Sequence, residues 1–173
     1  AGVRGFKCFL VPSGVDEFPA VDEDDLRRAM PILARRNVPL LVHAEDPTKI
    51  ATSAIPNSKF LIPNYASYLA TRPPEAEVDA IRLMIRLARE FGVRTHIVHV
   101  AAAEAAAQIE RAKSDGVSIT AETCPHYLTF AADSLQGVAA LDNLGIPESG
   151  DGISDVLQEA KWEADFMAKL QDS

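Results

Sequence analysis

Pro39-Leu40-Leu41-Val42-His43 is apolar at every position until its last, and it lies between two segments of helical periodicity. A short run of this kind reads as a strand with both faces covered, the usual condition of a strand in a parallel sheet. Upstream, Asp22 is placed to cap a helix over about 23–36. Its apolar stripe is Leu26, Ala29, Met30 and Leu33, and Asn37 ends it. Downstream, a second amphipathic helix covers about 74–91, with Pro73-Pro74 at its first turn and Gly92 beyond its last. Three further strand-like runs lie at residues 3–11, 94–100 and 117–122, the last two separated by an Ala-rich helix over about 103–114. The order βα-βα-βα-β predicts an α/β fold with a parallel sheet and right-handed crossovers.

The chain has 173 residues, enough for one sizeable core. Its net charge of −8 argues against nucleic-acid binding. No apolar run approaches the roughly 18–20 residues of a membrane span, and the amino terminus lacks a signal-peptide pattern. The chain begins in a strand without an initiator Met, as a fragment or processed chain would. Cys8 and Cys124 form no CxxC pair, so both are expected to be reduced, partly buried thiols in a cytoplasmic protein. Residues 131–173 hold nine acids and two bases, which places a boundary near 131. The expected organisation is a unit over 1–130 and an acidic tail over 131–173. The tail reads as a turn-rich stretch followed by a helix over about 153–170. The long connection over 45–73, with Pro47, Pro56, Pro63 and Pro73, reads as a lid or insert.

Chemistry in parallel α/β folds gathers at the carboxyl ends of strands. His43 and His99 both fall there. As neutral imidazoles they suit Zn, Fe, Co or Ni, and as plain structural residues they suit a hydrogen bond at a strand end. His96 lies three residues before His99, and on a regular strand that odd offset turns it to the opposite face, toward the helices. His126 follows the fourth strand and is a candidate to contact substrate or support a site. Lys7 is a cation in the run Val3 to Leu10, among residues that should be buried. It can be a salt-bridged lysine, a Schiff-base nucleophile or, after adding CO2, an anionic carbamate that ligates metal. There is no GxSxG elbow and no Gly-rich phosphate loop.

Several strings go further. Gly5-Phe6-Lys7-Cys8-Phe9-Leu10 with Ser13-Gly14-Val15-Asp16-Glu17-Phe18, and Leu41-Val42-His43-Ala44-Glu45, resemble allantoinases. So do Ser67-Tyr68-Leu69-Ala70-Thr71-Arg72-Pro73-Pro74-Glu75, His96-Ile97-Val98-His99-Val100 and Glu122-Thr123-Cys124-Pro125-His126-Tyr127-Leu128-Thr129-Phe130. The resemblance covers about residues 1–130 and includes the order of the strings. It implies a partial (β/α)8 TIM-type barrel, about strands four to seven, ahead of the divergent tail. It implies hydrolysis of the cyclic amide of allantoin to allantoate, with a metal-bound hydroxide as nucleophile. The family holds two divalent metals, Zn with Fe, Co, Mn or Ni as alternatives, bridged by a lysine that has taken up CO2. Lys7 matches that lysine, and His43 and His99 match the two histidines of the second metal. His126 and Ser13 are candidates to bind substrate or support the site. Allantoin or a related cyclic ureide is the implied ligand, and homo-oligomers are the family's habit.

The chain also departs from the pattern. The family's His-x-His pair for the first metal would lie upstream of Ala1. Its eighth-strand Asp, in a Ser-Asp-His string, is missing, and Asp155 after Ser154 does not replace it. Ala101 and Ala102 stand where serines are usual. The isolated chain is therefore expected to be inactive. A hydantoinase or dihydropyrimidinase activity, and a non-catalytic interaction module, remain as alternatives.

Overall fold

Each strand in the computed structural model is followed by a helix, and the register shows why. The structure describes residues 2–13, 15–50 and 69–129. The strands are β1 (Phe6–Phe9), β2 (Leu40–His43), β3 (Thr95–Ile97) and β4 (Ile119–Ala121). They form one sheet in the order β1-β2-β3-β4, parallel throughout. The helices are α1 (Glu23–Arg36), α2 (Pro74–Phe91), α3 (Ala103–Ser114) and the short α4 (Pro125–Thr129). Neighbouring strands are consecutive in sequence and parallel, so each crossover needs its own helix.

Local chemistry sets the helix ends. Asp22 accepts from the Asp25 backbone N–H, and the Asp25 carboxylate accepts from the Asp22 N–H, a reciprocal capping box. Asn37 closes α1 in the left-handed conformation, at φ 51°. Gly92 closes α2 at φ 68° and donates to the Ala88 carbonyl. All three long helices have the bounds expected from sequence. The strands are shorter than expected, because a strand extends only as far as its neighbour pairs with it. His126 follows the fourth strand as expected, on a short helix, α4, that Pro125 opens and that was not expected from the sequence.

The core lies between the helices and one face of the sheet. Leu40 and Val42 of β2, Thr95 and Ile97 of β3, and Ile119 of β4 are buried there. Met30 of α1 and Ile81, Met84 and Leu87 of α2 meet them with no accessible surface. At about 25 cal/mol per Å2 of apolar area removed from water, each such side chain contributes roughly 1.5–3 kcal/mol. Glu23 of α1 pairs with Arg86 of α2 at 2.9 Å, and Arg27 with Glu90 at 2.8 Å, which ties the two helices at their surface.

The other face differs from the sequence expectation. The apolar strands suggested cover on both sides, yet burial alternates along β2, and β1 is exposed or only partly buried. Lys7 is exposed, with Nζ 5.0 Å from the centre of the Phe9 ring, rather than enclosed among buried residues. Cys8 and Cys124 form no disulfide and are partly buried, as expected.

Residues 2–50 and 72–129 belong to one compact unit, and 53–71 and 130–173 are assigned to a second. The turn-rich stretch, the 153–170 helix and Trp162 of the acidic tail lie outside the described residues, as does most of the long connection.

Candidate metal centre

Residues paired across a parallel sheet point the same way, so the register defines the open face. Lys7 pairs with Leu41, Leu41 with His96, and His96 with Thr120, while Phe9 pairs with His43. His43 is the last residue of β2, at the carboxyl edge. Its ring stands 5.5 Å from that of Phe9, centre to centre.

His99 reaches the same place by leaving the strand. The ladder runs one residue past β3, where the Val98 N–H donates to the Val42 carbonyl at 3.2 Å. His99 then turns to φ 45°, a left-handed conformation uncommon outside glycine. That turn carries its ring to His43, with His43 Nδ1 2.9 Å from His99 Nε2. It also upsets the offset argument for His96, which assumed regular strand from 96 to 99. His96 shares the open face with Lys7 and Leu41, while Thr95 and Ile97 face the helices. His96 Nδ1 lies 2.8 Å from Thr120 Oγ1, and Nε2 lies 3.2 Å from Glu122.

Glu45, absent from the sequence-derived site, fixes the His43 ring. Its Oε2 is 2.7 Å from His43 Nε2 and also takes a hydrogen bond from Arg72. Burial pushes the Glu45 carboxyl up, but the bonds from His43 and Arg72 outweigh it and hold the group at about 2. A carboxylate only accepts, so His43 Nε2 donates to Glu45, and Nδ1 is left facing His99. Partial burial, then the charges of His43 and Lys7, hold His99 below the usual histidine range, which favours the neutral, ligating imidazole. At 2.9 Å a single proton bridges His43 Nδ1 and His99 Nε2. A metal ion held by both nitrogens would take the place of that proton. The histidine pair therefore fits one metal ion. Among the described residues no group of three or more His, Cys, Asp and Glu is arranged to hold one. Lys7 fits as a ligand only as its carbamate, since an ammonium has no lone pair.

The remaining candidates lie elsewhere. Ser13 Oγ donates to the Phe18 carbonyl at 2.6 Å and accepts from the Val15 N–H, shaping its own loop. His126, on α4, is exposed and meets Tyr127 edge to face at 4.5 Å. An apolar cavity of about 630 Å3 between α3 and β4, lined by Val100, Ala106, Ile109 and Leu128, contains none of these residues.

Three comparisons bear on this arrangement. No protein-family model matches the chain. Over 135 residues, 78% of its length, the chain is 44% identical to the allantoinase of Streptomyces avermitilis, covering 29% of that protein. It is 40% identical over 135 residues to the mitochondrial allantoinase of Aquarana catesbeiana, covering 27% of it. The L-hydantoinase (dihydropyrimidinase) of Arthrobacter aurescens superposes on 77% of the chain with a TM-score of 0.68 at 29% identity, over 30% of its own length. The chain thus spans less than a third of each of these relatives.

Proposed function

We propose, for a chain homologous to the allantoinases over most of its length, that it forms part of a metal-dependent cyclic amidohydrolase. In this reading β1–β4 are about strands four to seven of a (β/α)8 barrel, and residues 131–173 are a separate acidic tail. The observation that carries the proposal is the convergence of His43 Nδ1 and His99 Nε2 at 2.9 Å, at the carboxyl ends of adjacent parallel strands.

The chain's own residues divide the work. His43 and His99 are the residues that would hold a divalent metal, zinc by preference. Glu45 and Arg72 keep the His43 ring turned so that Nδ1 is left for that role. Lys7 projects from the same face and, as a carbamate, would add an anionic ligand. When bound, the metals polarise the ring carbonyl and supply a nucleophile from water at neutral pH. Allantoin is the proposed substrate, because the sequence relatives described above bear that activity in their names. A hydantoin or dihydropyrimidine ring is the second reading, favoured by the superposition on the Arthrobacter enzyme. We place the protein in the cytoplasm as a homo-oligomer. No helix among the described residues is long and apolar enough to cross a membrane.

The described residues offer ligands for one metal, so the isolated chain is proposed to bind zinc without turning over substrate. The test is metal analysis of the chain prepared with bicarbonate, alongside ring-opening assays on allantoin, hydantoin and dihydrouracil. One zinc, lost in His43→Ala and in His99→Ala, is expected. Absence of zinc, or retention in both variants, would refute the metal assignment. Two zinc ions with turnover would refute the inactivity, and the preferred ring would decide between allantoin and its competitors.

A further inference from the structure

Glu77 lies on α2, on the far side of the loop that presents His99. Its carboxylate accepts from the Ala101 N–H at 3.0 and 3.1 Å and from the Ala102 N–H at 2.6 Å. Neither donor belongs to the first turn of α3. Ala102 is the residue before it and gives that helix no side-chain cap. Glu77 therefore grips the loop rather than capping the helix. The same loop is held at Val100, whose N–H donates to the Glu122 carbonyl at 2.8 Å and whose carbonyl accepts from Thr123 Oγ1 at 2.7 Å. Every residue from Val98 to Ala102 except His99 thus has its backbone N–H bonded to another element. His99 sits in the middle, at φ 45°.

A non-glycine residue in that region stores strain and stays there only when its surroundings over-determine it. We infer that Glu77 is a positioning residue for His99, holding the 98–102 loop in the one conformation that brings the imidazole to His43. The inference rests on the metal-centre reading above only for its functional meaning, because the geometry stands without metal. Burial pushes the Glu77 carboxyl up, against its two backbone bonds, as expected of a carboxylate drawn in from solvent to serve fixed donors. Sequence reasoning had no access to this contact, which joins residues 24 and 25 positions apart.

The test uses the whole chain and three variants, Glu77→Ala, Glu77→Gln and Glu77→Ala/Ala102→Asp. The double variant gives α3 a side-chain cap that it lacks, since an Asp before a helix accepts from its second or third N–H and leaves the N–H groups of residues 101 and 102 bare. Imidazole 15N spectra of the metal-free chain report the His43–His99 hydrogen bond, and zinc titration reports the site. Both single variants are expected to lose or broaden the imidazole signature and to bind zinc about 10–100-fold more weakly, the usual consequence of losing a ligand's support. The double variant should recover resistance to urea without recovering either signal. Folded variants with the wild-type imidazole spectrum would overturn the inference. So would recovery of both signals in the double variant, which would reduce Glu77 to a stability role. If the wild-type chain binds no zinc, the metal reading falls, and the metal-free spectra still judge Glu77. If Glu77→Ala does not fold, Glu77→Gln carries the same comparison with the side-chain volume kept.

Discussion

Cys8 follows Lys7 directly, yet the two face opposite sides of the sheet, and their surroundings predict very different chemistry. Cys8 points toward the helices, where burial pushes its thiol from 9.0 up to about 12. Only the thiolate reacts, so at pH 8 the reactive fraction falls from roughly one in ten to roughly one in 10^4, slowing alkylation about 1000-fold. The assay is an iodoacetamide pulse on the native chain, read by mass spectrometry, with the urea-unfolded chain as reference. The same shift makes stability depend on pH. Between 9.0 and about 12 the folded state holds the Cys8 proton and the unfolded chain releases it. This contribution is therefore complete below pH 9 and is lost as pH rises toward 12, on the order of 4 kcal/mol for three pKa units. Cys8→Ala removes this term, so the stability gap between wild type and variant should shrink over that window. Native alkylation of Cys8 within tenfold of the unfolded rate would refute the burial of its side chain. With it would fall the facing of Lys7 toward the candidate site.

Glu45→Ala removes the acceptor that fixes the His43 ring and should weaken zinc binding about 10–100-fold in a competition titration with a chelator. Gly92→Ala should cost roughly 1 kcal/mol in urea unfolding, because the residue sits at φ 68° although space for a methyl group is open. An Ala tolerated at position 92 without loss would argue against the left-handed end of α2.

The helices were legible because their signals are local. Asp22, Asn37, Pro74 and Gly92 act within a turn of themselves, and the apolar stripes of α1 and α2 need only a 3.6-residue period. The alternation βα-βα-βα-β likewise gave the parallel sheet. Burial of the strands was less legible, because apolar residues call for cover without saying what supplies it. His96 was assigned to the wrong face for a different reason. The offset rule holds only while the backbone is extended, and nothing in the string His96-Ile97-Val98-His99 announces the left-handed turn at its end. Glu45 stood beside His43 in the sequence. Its role needed Arg72, which lies 27 residues away and bonds the same oxygen.

Sequence alone determined the parallel α/β order, the helix bounds, and the placement of His43 and His99 near the carboxyl ends of their strands. These follow from periodicity and capping, which act over a few residues. Tertiary structure decided the rest. It turned His99 out of its strand onto His43, oriented the His43 ring through Glu45 and Arg72, and anchored the loop through Glu77. Each of those outcomes depends on donors and acceptors brought together from separate βα units, and such pairings exist only once the strands have taken their register.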